Sequence, residues 1–143
     1  MNPKPITPTL SVSEQIQPQE VNALAASGFK AIICNRPDGE GADQPSFSEI
    51  EVAAKAAGMQ AAYLPVVSGN IDEADVQEFG LLMERLPKPI LAYCRSGTRS
   101  ATLWSLSEAA RGRPLAEIIS ATKAAGCDMA GVMRALPTAG GKN

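Results

Sequence analysis

Four short apolar runs, Leu10–Ser13, Phe29–Cys34, Met59–Val66 and Ile90–Tyr93, are separated by stretches of helical pattern, and this alternation constrains the fold more than any other feature. Pro18 opens a helix through Val21, Leu24 and Ala25 that ends at Gly28. Ser46 and Glu49 have the spacing of a capping box for a helix running to Ala57 and stopped by Gly58. Asp72 or Asp75 starts the next one, with Val76, Phe79, Leu82, Met83 and Leu86 on its buried side. After the fourth apolar run, helices are expected over 101–111, 114–125 and 129–136. Strands alternating with helices predict a single α/β domain over 1–143, with a central, mostly parallel sheet flanked by helices. The Pro-rich residues 1–8 and the Gly-rich residues 138–143 are expected as flexible ends, and Leu10–Ser13 as a candidate edge strand.

Composition removes several classes of function. A chain of 143 residues supports one real core. Its net charge of −2 argues against nucleic acid as a partner. No apolar run is long enough to span a bilayer, and Met1–Pro5 lacks the pattern of a secretion signal, so a cytoplasmic location is expected. There is no histidine, which removes Ser-His-Asp and Cys-His catalysis and most zinc or iron sites. Cys34, Cys94 and Cys127 are far apart and form no CxxC pair, so free thiols are expected, with no metal and no cofactor. Any nucleophile must be activated by backbone dipoles and arginines.

In parallel sheets ligands bind beyond the carboxyl ends of the strands. Three loops share that end here: Asn35–Pro45, Val67–Asp72 and Cys94–Ser100. The last, Cys94-Arg95-Ser96-Gly97-Thr98-Arg99-Ser100, joins an apolar strand to a helix. A cysteine at such a junction faces helix amino-terminal amides, which favour a thiolate and a negatively charged substrate. Gly97 permits the tight turn, Arg99 supplies a bidentate fork for an oxyanion, and Ser100 is positioned to donate to the Cys94 sulfur. Arg95, Ser96 and Thr98 complete the anion-binding segment, with Arg95 adding positive potential at the mouth. Cys34 reads first as a packing residue and second as a resolving thiol for Cys94, since their strands should be neighbours. Cys127, before the capping candidate Asp128, reads as structural.

The Cys94 segment resembles the active loops of protein tyrosine and dual-specificity phosphatases and of rhodanese-type sulfurtransferases. More specifically, the chain is similar to a bacterial family, the beta-lactamase hydrolase-like protein, phosphatase-like domain. The likeness runs from Thr7–Val12 through Cys34-Asn35-Arg36-Pro37-Asp38-Gly39-Glu40 to the Cys94 loop. This resemblance implies a phosphatase-like α/β fold.

Three departures from the phosphatase pattern bear on the reaction. Four residues, Arg95 to Thr98, separate Cys94 from Arg99, one fewer than in the phosphatase loop and the spacing of many rhodanese loops. Tyr93 stands where the phosphatases have histidine. The loop expected to carry a general acid, Pro65–Ile71, has no carboxylate. Asp38 is the substitute candidate, although Pro37-Asp38-Gly39 is also strong turn chemistry. Sulfite leaves without help from an acid, so the favoured expectation is a cysteine-dependent sulfurtransferase. It would take sulfur from thiosulfate or a persulfide and pass it to an acceptor thiol or cyanide, with a persulfide dioxygenase as a candidate partner. The alternative is a phosphatase with a phosphocysteine intermediate. A third reading is a thiol redox or sulfide sensor using Cys94 and Cys34, and a fourth is an anion-binding module without catalysis.

Overall fold

The computed structural model describes residues 2–134. Five strands, β1 (Lys4–Thr7), β2 (Leu10–Ser13), β3 (Ala31–Cys34), β4 (Gln60–Tyr63) and β5 (Ile90–Tyr93), form one sheet in the order β1-β2-β5-β3-β4. All neighbours run parallel except β1 and β2. Among the described residues six α-helices accompany the sheet, the first preceded by a 3-10 turn over Pro18–Glu20: α1 (Val21–Ala26), α2 (Phe47–Ala56), α3 (Glu73–Arg85), α4 (Thr98–Ala110), α5 (Leu115–Ala124) and α6 (Ala130–Arg134).

Alternation along the central strands divides the core. Ala31 and Ile33 of β3, with Ile90 and Ala92 of β5, join Phe79, Leu103, Trp104 and Ile118 on one face. Ile32, Cys34, Leu91 and Tyr93 point the other way, against Val21, Leu24, Ile50 and Ala54 of α1 and α2. Such period-two placement is what a sheet covered on both faces requires. Truncating the fully buried Phe79 of the first face to Ala should cost about 3–5 kcal/mol.

The expected capping box at α2 forms, and α3 starts with another. Ser46 accepts from the Glu49 amide while Glu49 reaches back to Ser46, and Asp72 and Asp75 do the same at α3. Three expectations need correction. Residues 4–7 are not a loose end but an antiparallel strand on β2, with Lys4 opposite Val12. An outer strand tolerates Pro5 because one of its sides needs no ladder partner. Leu10–Ser13 is consequently interior, between β1 and β5. The helix after the cysteine loop begins at Thr98 rather than Ala101, because Gly97 takes a left-handed φ of 95° and turns the chain directly into it. The expected flexible end 138–143 and the end of the last helix at Leu136 lie outside the described residues.

Candidate active site

Cys94 follows the last residue of the central strand, and backbone hydrogen bonds continue past the strand ends to hold it. Its amide donates to the Ser13 carbonyl at 3.4 Å, the Gln15 amide donates to the Arg95 carbonyl at 3.2 Å, and the Asn35 amide donates to the Tyr93 carbonyl at 2.8 Å. The loop is thereby tied to both neighbouring strands. Gly97 closes the turn: its amide donates to the Cys94 sulfur at 3.0 Å. A Cβ at Gly97 would lie 3.4 Å from the Ser13 carbonyl oxygen, at a φ that L side chains rarely adopt. Ser96 and Thr98 are linked through their hydroxyls at 3.2 Å.

Arg99 lies in the first turn of α4 and is 8% exposed. Its Nη1 donates to Glu40 Oε2 at 2.7 Å and to the Val66 carbonyl at 2.9 Å, and Nη2 donates to Glu40 Oε1 at 2.9 Å. The fork expected to take an oxyanion therefore grips a carboxylate of the chain itself. Glu40 also accepts from Arg36 Nε at 3.0 Å, and Arg36 Nη1 donates to Gln15 Oε1 at 3.0 Å. Glu40, ordinarily near 4.5, is lowered to about 2, chiefly by its hydrogen bonds to Arg99 and then to Arg36 against the opposing effect of burial. Arg99 is raised, first by Glu40 and, against the cost of its burial, by the Cys94 sulfur, with which its side chain also interacts.

A cavity of about 540 Å³ opens at this end of the sheet. The cysteine loop contributes Arg95, Ser96, Thr98 and Arg99 to its wall. The facing loops contribute Arg36, Glu40, Gly41, Val67 and Ser68. Cys94 itself is fully buried beneath this wall. The amide on one side and the guanidinium on the other form the surroundings that a sulfur nucleophile attacking an anion needs.

Several expected residues have other tasks. Ser100 does not donate to sulfur; its hydroxyl donates to Asn35 Oδ1 at 2.8 Å, and Asn35 Nδ2 donates to the Leu64 carbonyl at 2.9 Å. That relay joins the start of α4 to the exits of β3 and β4. Asp38 is exposed and outside the cavity wall, where its Oδ1 accepts from the Phe47 amide at 2.8 Å at the start of α2. Cys34 pairs with Tyr93 across β3 and β5, and its thiol donates to the Arg36 carbonyl at 3.3 Å. Burial pushes the Cys34 thiol up, which keeps it protonated and suits a packing residue better than a resolving thiolate. Cys127 is half-buried beside a smaller cavity of about 100 Å³ that also reaches Gly97, and burial raises it too. Asp128 accepts from the Ala130 amide at 3.0 Å, as a cap should. Among the described residues no three Cys, Asp or Glu side chains gather to hold a metal, and no helix is long and apolar enough to cross a membrane.

Arg36, Glu40 and Asn35 are not singled out by residue type, because Asn35–Pro45 reads as turn chemistry. The available signal is the pair Arg36 and Glu40 at the end of the strand beside that of Cys94, where a charged pair must find partners.

A mixed sheet flanked by helices, with the Cys94 loop entering a helix at its carboxyl end, defines a single α/β domain of phosphatase-like fold. The chain belongs to the beta-lactamase hydrolase-like protein, phosphatase-like domain family, whose pattern matches residues 3–111. It is 41% identical over 108 residues to a beta-lactamase hydrolase-like protein of Agrobacterium fabrum and 37% identical to one of Xylella fastidiosa. These matches cover 76% of this chain and 25% of each relative, so the chain spans about a quarter of their length. A Neisseria meningitidis crystal structure described as a "putative phosphatase" superposes with a TM-score of 0.83 at 36% identity, covering 92% of this chain and 93% of that one. The structure of Tk-PTP in its active form, at 21% identity and TM-score 0.68, covers 86% of this chain and 82% of its own and shares the fold.

Proposed function

We propose that the chain is a cysteine-dependent phosphohydrolase acting on small anionic phosphoesters. The observation that carries this reading is the Cys94 sulfur, placed under the Gly97 amide and beside the Arg99 guanidinium at the mouth of the sheet. The likeness to the Neisseria structure supports it. Cys94 would attack phosphorus and form a phosphocysteine, while the loop amides and the Arg99 N–H groups that Glu40 and Val66 leave over hold the equatorial oxygens. Water would then release inorganic phosphate. This reverses the order of preference drawn from loop spacing, since fold and relatives favour phosphorus.

The sulfurtransferase reading keeps one specific support. Glu40, the carboxylate of the cavity wall, is ionised and held by two arginines, and sulfur transfer from thiosulfate needs no acid. An acceptor thiol or a persulfide dioxygenase belongs to that reading alone. Two measurements on the purified protein separate the two: release of phosphate or phenol from aryl phosphates, and intact mass after incubation with thiosulfate, each with Cys94→Ser as the blank. Cys94-dependent turnover of an aryl phosphate without a sulfur adduct supports phosphohydrolase chemistry. A single added sulfur on Cys94, with no phosphate released from any ester, overturns it.

A further inference from the structure

The chemistry of the leaving group can be read from the cavity wall, on the assumption that Cys94 performs the phosphoryl transfer proposed above. The wall carries three arginines, Glu40 and the hydroxyls of Ser68, Ser96 and Thr98, with Val67 as its apolar side chain. Among the described residues no aromatic ring lines it. Phe79 and Trp104 lie in the core of one face, Phe29, Phe47 and Tyr93 pack on the other, and Tyr63 stacks on Phe47 with ring centroids 4.9 Å apart. A site that grips a phenyl ring normally offers a ring or a broad apolar surface against it. This wall offers polar groups instead.

The second observation concerns protons. An alcohol or phenol leaves well only when an acid protonates the departing oxygen. Glu40 is the wall's carboxylate, and both its oxygens accept charged hydrogen bonds from Arg99 and Arg36, so it has no proton to give. Asp38 is taken by the Phe47 amide, and Asp72 and Asp75 cap α3. The Val67–Ile71 loop supplies no further acid.

We infer that the site is built for a small acyl phosphate, a mixed anhydride whose leaving group is a carboxylate. The Cys94 thiolate forms a bond to phosphorus as the bond from phosphorus to the acyl oxygen breaks. The electron pair leaves with the carboxylate, which needs no proton. Water then attacks phosphorus, the S–P bond breaks with its electrons returning to sulfur, and the water proton passes to solvent. A small non-aromatic leaving group suits the polar wall of this cavity.

Three substrates test this: phenyl phosphate, 2,4-dinitrophenyl phosphate and acetyl phosphate. The last two have leaving groups of similar acidity, but only one is aromatic. Cys94→Ser supplies the background for each. Both good leaving groups should exceed phenyl phosphate by about a hundredfold or more in kcat/KM, the range a missing general acid accounts for. Acetyl phosphate should match dinitrophenyl phosphate to within about tenfold or surpass it. Phenyl phosphate falling short of the hundredfold gap would reveal a proton donor and overturn the inference. Dinitrophenyl phosphate outrunning acetyl phosphate by more than about tenfold would reveal recognition of the ring and overturn it equally. If none of the three releases phosphate in a Cys94-dependent way, the phosphohydrolase reading itself falls.

Discussion

Replacing Glu40 with Gln removes one charge from a three-residue ionic cluster while keeping nearly the same shape. In the native protein Oε2 accepts from Arg99 Nη1 at 2.7 Å, and Oε1 accepts from Arg99 Nη2 at 2.9 Å and from Arg36 Nε at 3.0 Å. Moving a carboxyl from 4.5 to about 2 corresponds to about 3 kcal/mol of interaction at most. The Glu40 side chain is 29% exposed, and solvent screening reduces the expected loss to about 1–2 kcal/mol. The sign of the pH dependence follows from the lowered carboxyl. Its stabilisation is complete above the unfolded value near 4.5 and disappears as pH falls through about 2. Urea unfolding followed by emission of Trp104, the single tryptophan and 3% exposed, measures the gap between native protein and Glu40→Gln. The gap should be the same at pH 7 and pH 5.5 and shrink by about half at pH 3. A negligible gap at pH 7, or one unchanged at pH 3, would show that the cluster is an ordinary surface ion pair and refute the reasoning.

Gly97→Ala should lower stability by about 1–2 kcal/mol and suppress turnover more severely, since the left-handed φ and the Ser13 carbonyl both resist a Cβ; thermal melts and steady-state kinetics report the two effects. Ser100→Ala removes the donor to Asn35 Oδ1 in a fully buried pair and should cost about 1–3 kcal/mol. Because the Ser100 hydroxyl donates to Asn35 and not to sulfur, the rate of Cys94 alkylation in the folded variant should stay near the native rate. Asp38→Asn should leave kcat unchanged and lower stability by about 0.5–1 kcal/mol through a weaker bond to the Phe47 amide; a large loss of turnover across the pH range would instead identify Asp38 as an acid.

Local rules explain why so much of the fold is legible in the residues. The apolar runs, the glycine stops, the Ser46–Glu49 capping box and the aspartates at the start of α3 each act within a few positions, so the strands and helices follow from them. Cys94 and Gly97 are legible for the same reason, since a strand-to-helix turn around a cysteine is a local pattern. What escapes is long-range. The Glu40–Arg99 pair joins residues far apart in the chain, and Ser100 chooses Asn35 over sulfur because of where β3 ends. The start of α4 escapes for another reason: Gly97 caps it through backbone shape, with no side-chain hydrogen bond to signal it. The β1 strand is hidden by its prolines, which disfavour a strand in isolation and are tolerated once β2 presents a partner.

Amide exchange would divide this active site into two regions of unlike stability. The Cys94 and Asn35 amides are bonded across the three middle strands of the sheet, so they open only when those strands separate, which is close to global unfolding. The facing Val67–Asn70 segment, with Val67 half exposed and a turn bond from the Asn70 amide to the Val67 carbonyl, belongs to no strand and can open by itself. The sulfur and its loop thus form the more stable region of the site, and the opposite wall the less stable one. Substrate preference can change through the rim without disturbing the nucleophile.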